Sequence, residues 1–132
     1  MLSREREQQV RQHLRLAKGL LETTYLEPKS SEFEERNALS RAYYAVFHAC
    51  SALILSRNLE PRKSHGGLRD QVRGWLGNDF GRFVTDMYEL RRSADYSPER
   101  SPVRYVIDEK LKVARTNVLW ACREAENQLA KS

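Results

Sequence analysis

The stretch "SRAYYAVFHACSALIL", residues 40–55, leaves few folds open, because as a helix it is apolar on two opposite sides. At about 100° per residue, Ala42, Tyr43, Val46, Phe47, Cys50, Leu53 and Ile54 gather on one side. Arg41, Tyr44, Ala45, His48, Ala52 and Leu55 gather on the other. A helix of this kind needs neighbours on both sides, so it reads as the middle of a larger helical assembly. Ala45 and Ala52 would let a bundle neighbour or a second subunit approach closely.

The neighbours are legible elsewhere in the chain. Val10, Leu14, Ala17, Leu20, Leu21 and Tyr25 recur at spacings of three and four, which predicts a first helix over residues 3 to 25, closed by Pro28. Ser31 followed by Glu34 has capping-box spacing, which starts the second helix; it runs to Arg57. Ser64 caps a short third helix through Trp75, weakened by Gly66 and Gly67. Phe80, Phe83, Val84, Met87, Tyr88, Leu90, Arg91 and Ala94 define a fourth helix that "DYSPERSP" stops. Asp108 caps a last helix containing Leu111, Ala114, Val118, Ala121, Cys122, Ala125 and Leu129. No period-two alternation persists, so the expectation is all-α: a four-helix up-down bundle with an additional short helix across the middle connection. Its 132 residues suit one domain spanning 1–132.

Arg41 and His48 lie about 20° apart around the helix axis, on a face not polar enough to be an ordinary solvent face. A half-sequestered arginine requires an anionic or carbonyl partner. Asp95, in "RRSADY", is one candidate and has Arg91, four residues back, as a second choice; His48 is then a satisfied core histidine. The other reading sets Arg41 and His48 against a phosphodiester, where guanidinium forks onto phosphate oxygens and imidazole transfers protons near neutral pH. Two helical turns separate their backbones by about 10 Å, so one copy spreads the groups. Two subunits packed antiparallel about a two-fold axis would bring Arg41 of each toward His48 of the other.

The blocks "SRAYYAVFHACSALIL", "SHGGL" and "LRRSADYS", in that order, resemble the small prokaryotic HEPN-domain proteins over residues 33 to 130. The resemblance implies a helical bundle that acts as a dimer, with an arginine, four to six intervening residues and a histidine meeting at the interface. Arg41 and His48 have six residues between them. It further implies a metal-independent endoribonuclease needing no cofactor, with His48 managing proton transfer as the RNA 2′-hydroxyl attacks the adjacent phosphate and Arg41 stabilising the developing charge. Members of this branch pair with a minimal nucleotidyltransferase as toxin and antitoxin. The alternative is a non-catalytic module that binds a nucleotide or that partner through the same face. The residue after the family's arginine is commonly polar, and here it is Ala42.

Supporting roles fall to Tyr44, His65, Arg91, Asp95 and Tyr96. Tyr44 is one turn from both Arg41 and His48 and can order the site or stack a base. His65, beside Gly66 and Gly67 and after Arg62 and Lys63, opens a helix whose free amides suit a phosphate, unless Ser64 merely caps it and His65 is solvated. Asp95 pairs with an arginine and Tyr96 packs the helix end in the structural reading of that block. His13, flanked by Arg11 and Arg15, is expected to be exposed and without function.

The formal charge of +5 permits a polyanionic partner, RNA or nucleotide, without demanding one. Cys50 and Cys122 lack zinc or CxxC spacing and read as buried thiols. The charged start has no signal-peptide apolar region and Ala42 to Leu55 is short for a bilayer, so no membrane association and a cytoplasmic location are expected. Phosphate-loop, dinucleotide, nucleophile-elbow and HExxH motifs are absent from the sequence.

Overall fold

In a computed structural model the chain is described over residues 2–26, 31–96 and 104–131. Five helices follow one another: α1 (Arg4–Leu26), α2 (Glu32–Ser56), α3 (His65–Leu76), α4 (Asn78–Tyr96) and α5 (Arg104–Ala130). The described residues contain no strand, and the fold is an all-α bundle.

Local chemistry places the ends. The Ser31 hydroxyl accepts from the Glu34 backbone N–H at 3.2 Å to open α2, and the Ser64 hydroxyl accepts from Gly67 at 3.0 Å to open α3. Asn58 adopts φ 61°, which lets the Leu59 N–H return to the Ile54 carbonyl at 3.3 Å and close α2. Gly77, at φ 94°, turns the chain from α3 into α4 while its N–H donates to the Arg73 carbonyl at 2.9 Å. The last helix differs from the sequence expectation: it begins at Arg104, and Asp108 lies inside it. Ile107, four residues before Leu111 and 2% exposed, extends the inward stripe one turn earlier and carries the helix past Asp108. Pro28 and the segment after Tyr96 fall outside the described residues.

α2 is the central element. α1 runs antiparallel along it: Arg6 near the start of α1 pairs with Glu60 beyond the end of α2 at 2.6 Å, and His13 meets His48 halfway along. α4 runs antiparallel too, with Arg36 reaching Ala94 and Tyr43 reaching Tyr88. α5 turns Leu111, Ala114, Val118, Ala121, Cys122 and Ala125 inward against α2 and α1. Ala42, Val46, Cys50, Leu53 and Ile54 are at most 1% exposed, so the first apolar side of α2 is core. Cys50 and Cys122 are buried free thiols; burial, reinforced by the other thiol, pushes Cys50 far up, and burial holds Cys122 at about 11. By length and composition alone α2 would serve as a membrane span, yet 72% of that window is buried inside the bundle.

Candidate functional site on the second helix

The second apolar side of α2 divides in two. Ala45 and Ala52 are 0% exposed and Leu55 is 4% exposed within a single chain, because the bundle already covers them. Arg41 and His48 are half-buried, and Tyr44 is 41% exposed. The chemistry-bearing members of the stripe therefore stand at the margin of the bundle, while the small and aliphatic members hold its helices together. Phe33, three turns before Tyr44 on the same line of α2, is 73% exposed.

On the α4 side, a mixed aromatic and cationic cluster orders Tyr44. The Arg91 guanidinium lies 5.4 Å from the Tyr44 ring centre and 5.6 Å from that of Tyr43, within range of cation–π attraction to both. Asp95 pairs with Arg91, Nε to Oδ2 3.2 Å, so the second of the two arginines open to it in the sequence is a partner. Arg36 locks this end of the bundle: its Nη1 donates to the Ser93 and Ala94 carbonyls at 3.2 and 2.8 Å, carbonyls of the last turn of α4, while Glu32 accepts from its Nη2 at 2.9 Å. The side chain of Tyr96 lies outside the described residues.

His65 turns inward. Its ring stacks on Tyr88 at 3.9 Å and 13°, and its Nδ1 sits 3.2 Å from the Tyr43 hydroxyl. Its Nε2 is buried without a hydrogen-bond partner. Burial lowers the His65 pKa, Arg69 lowers it further and Glu89 opposes, so the ring is neutral at neutral pH. Tyr43, 7% exposed, is pushed up to about 12 by burial. Gly67 has no room for a side chain, since a Cβ would lie 2.8 Å from both the Arg62 Cδ and the Ser64 hydroxyl. The "SHGG" block thus packs α3 onto α2 and α4 through His65 and admits Arg62 over its first turn.

On the α1 side the structure corrects the reading of His13. It is half-buried against His48, with the two Nδ1 atoms 2.9 Å apart and the ring centres 5.1 Å apart. At that separation one ring donates its Nδ1–H to the lone pair of the other. Burial lowers both pKa values, and His13 lowers His48 further. The Phe47 and His48 rings form an edge-to-face pair with their centres 5.2 Å apart. The signal was in the sequence: His13 stands three residues after Val10 and four before Ala17, on the apolar stripe itself, and the neighbouring arginines hid it.

Among the described residues, no group of three or more His, Cys, Asp or Glu stands close enough to hold a metal ion. A concavity of about 270 Å³ between α4 and α5, lined by Asp79, Arg82, Phe83, Asp86, Met87, Lys110 and Val113, contains none of the candidate residues.

The chain has recognisable relatives over part of its length. It is 41% identical over 70 residues to "Putative toxin MJ0605" of Methanocaldococcus jannaschii, a match covering 49% of this chain and 52% of that protein. It is 36% identical over 62 residues to "UPF0332 protein PH1297" of Pyrococcus horikoshii, covering 47% and 42% of the two chains. A second M. jannaschii protein, "Putative toxin MJ0142", is 29% identical over 72 residues, 51% of this chain and 48% of that one. No family model matches the chain. It spans about half the length of the curated relatives it matches, and among these similar proteins are two whose names call them toxins.

Proposed function

We propose that this protein is a toxin-like, metal-independent endoribonuclease of the HEPN type, acting as a homodimer in which Arg41 of one subunit and His48 of the other serve one phosphodiester. One observation carries the reading: Arg41, Tyr44 and His48 remain accessible at the edge of α2 while the apolar members of the same stripe are buried. A helix that needed this face only for packing would bury it with them. The names of the two similar M. jannaschii proteins support a toxin role. A nucleotidyltransferase is the proposed antitoxin partner, and the cytoplasm, where RNA is available, the proposed location.

The chemistry asks for little. A neutral His48 takes the proton of the ribose 2′-hydroxyl as that oxygen attacks phosphorus. Arg41 forks onto the non-bridging oxygens and stabilises the added negative charge. The 5′-oxygen leaves with a proton from water and the His48 imidazolium returns its proton to solvent, giving a 2′,3′-cyclic phosphate and a 5′-hydroxyl. The lowered pKa of His48 suits this role, because the ring is unprotonated and ready to accept at neutral pH.

A second reading has support in the same cluster. Exposed Tyr44 with Arg91 beside its ring is a stacking platform for a base, and a module with only that platform would bind a nucleotide without cutting it. Induced expression in a bacterial host separates the two. Growth arrest by the wild type, with cellular RNA fragments ending in cyclic phosphate and normal growth with His48→Ala, is the expected result. Intact RNA under the wild type, or equal arrest by both forms, would overturn the nuclease reading.

A further inference from the structure

His13 has no place in the chemistry above, yet it makes a hydrogen bond to the proposed catalytic imidazole. The Nδ1 atoms of His13 and His48 are 2.9 Å apart, on two antiparallel helices. An Nδ1–Nδ1 hydrogen bond between neutral rings needs one donor and one acceptor, so each ring is confined to one tautomer and the two are opposite. His48 Nδ1 is thereby engaged, and its Nε2, unlike the Nε2 of His65, is not among the buried atoms without a partner. The Nε2 of His48 lies across the ring from the couple and is the nitrogen left for a substrate.

We propose that His13 is a positioning residue that holds His48 as the Nδ1–H tautomer, leaving the Nε2 lone pair as the base; this rests on the nuclease reading. In that arrangement His48 donates Nδ1–H to the Nδ1 lone pair of His13, whose own proton is on Nε2. When the 2′-O–H bond breaks, its proton forms a new N–H bond at His48 Nε2, and the Nδ1–H still points at the His13 acceptor. The imidazolium so formed is held by a fixed lone pair, the task a buried acceptor performs behind any histidine base. His13 touches no substrate. Burial acts on both rings, and the Phe47 ring packs against His48 in an edge-to-face pair.

The test is nitrogen-15 NMR of the histidine side chains in the full chain, for wild type, His13→Phe and His13→Asn, with RNA cleavage measured on the same samples. Phenylalanine keeps a ring and removes the acceptor; asparagine keeps a polar atom where His13 has Nδ1. Wild-type His48 is expected as Nδ1–H with bare Nε2, His13→Phe as predominantly Nε2–H, and His13→Asn as the wild type. Cleavage by His13→Phe should lose kcat on the order of tenfold with KM nearly unchanged, and His13→Asn should recover most of it. The same His48 tautomer in wild type and His13→Phe would overturn the proposal, and His13→Asn keeps it open to refutation if the phenylalanine variant fails to fold. Tautomer shifts as expected with no cleavage by any form would uphold the His13–His48 couple and refute the nuclease reading.

Discussion

Arg41 is a guanidinium, and the proposed chemistry needs that shape as well as its charge. A lysine in its place keeps the cation and loses the planar fork that meets two phosphate oxygens at once. Arg41→Lys should therefore lower kcat by roughly a hundredfold, the low end of what removing one transition-state donor costs, with far-UV circular dichroism unchanged. Full activity in that variant would assign Arg41 to packing. Single residues also mark where sequence was a poor guide. Arg41, Tyr44 and His48 were visible because α2 carries an unusual polar pair on an apolar stripe. His13 was misread because flanking arginines suggest solvent, although its own spacing put it on the inward stripe of α1. Arg36, which ties α2 to the end of α4, left no trace in the sequence, since carbonyls 57 and 58 residues away cannot be read from periodicity.

Helices were easier to read than their contacts. The spacing of apolar residues placed α1 through α4 closely, and Ser31 and Ser64 cap as their positions imply. The start of α5 was misplaced at Asp108 because a capping residue type outweighed Ile107 in the pattern. Ser64→Ala tests how much the short helix depends on its cap: loss of the bond to Gly67 should cost about 1 kcal/mol in urea unfolding. A value near zero would show that packing of α3, with Leu68 and Val72 buried and His65 stacked on Tyr88, fixes the helix without its cap. α2 carries a stronger prediction. Purified Arg41→Ala and His48→Ala proteins should each be inactive, and subunit exchange between them should restore about a quarter of wild-type cleavage, because half the dimers then hold one intact composite site of two. No recovery after confirmed exchange would refute a site shared between subunits.

The molecule as a whole should be sensitive to mild acid. His13, His48 and His65 all have pKa values lowered below 6.5, chiefly by burial, so between those values and 6.5 the unfolded chain binds more protons than the folded one. Stability therefore rises with pH through that window and falls as pH drops below 6.5. The urea midpoint should be lower at about pH 5.5 than at about pH 7.5, and equal midpoints would contradict the burial of these rings. An all-α bundle built around one doubly apolar helix was legible from sequence, because burial demand is written in the period of the chain. The proposed activity rests on one arginine, one histidine and a resemblance, since catalysis depends on where those groups meet a substrate.

Cleavage of a mixed single-stranded and structured RNA pool, with EDTA throughout, sets purified wild-type protein beside His48→Ala. The wild type should cut and leave 2′,3′-cyclic phosphate ends, and His48→Ala should leave the pool intact at unchanged helix content and oligomeric state. Equal cleavage by both proteins, or none by the wild type, would contradict a nuclease centred on Arg41 and His48.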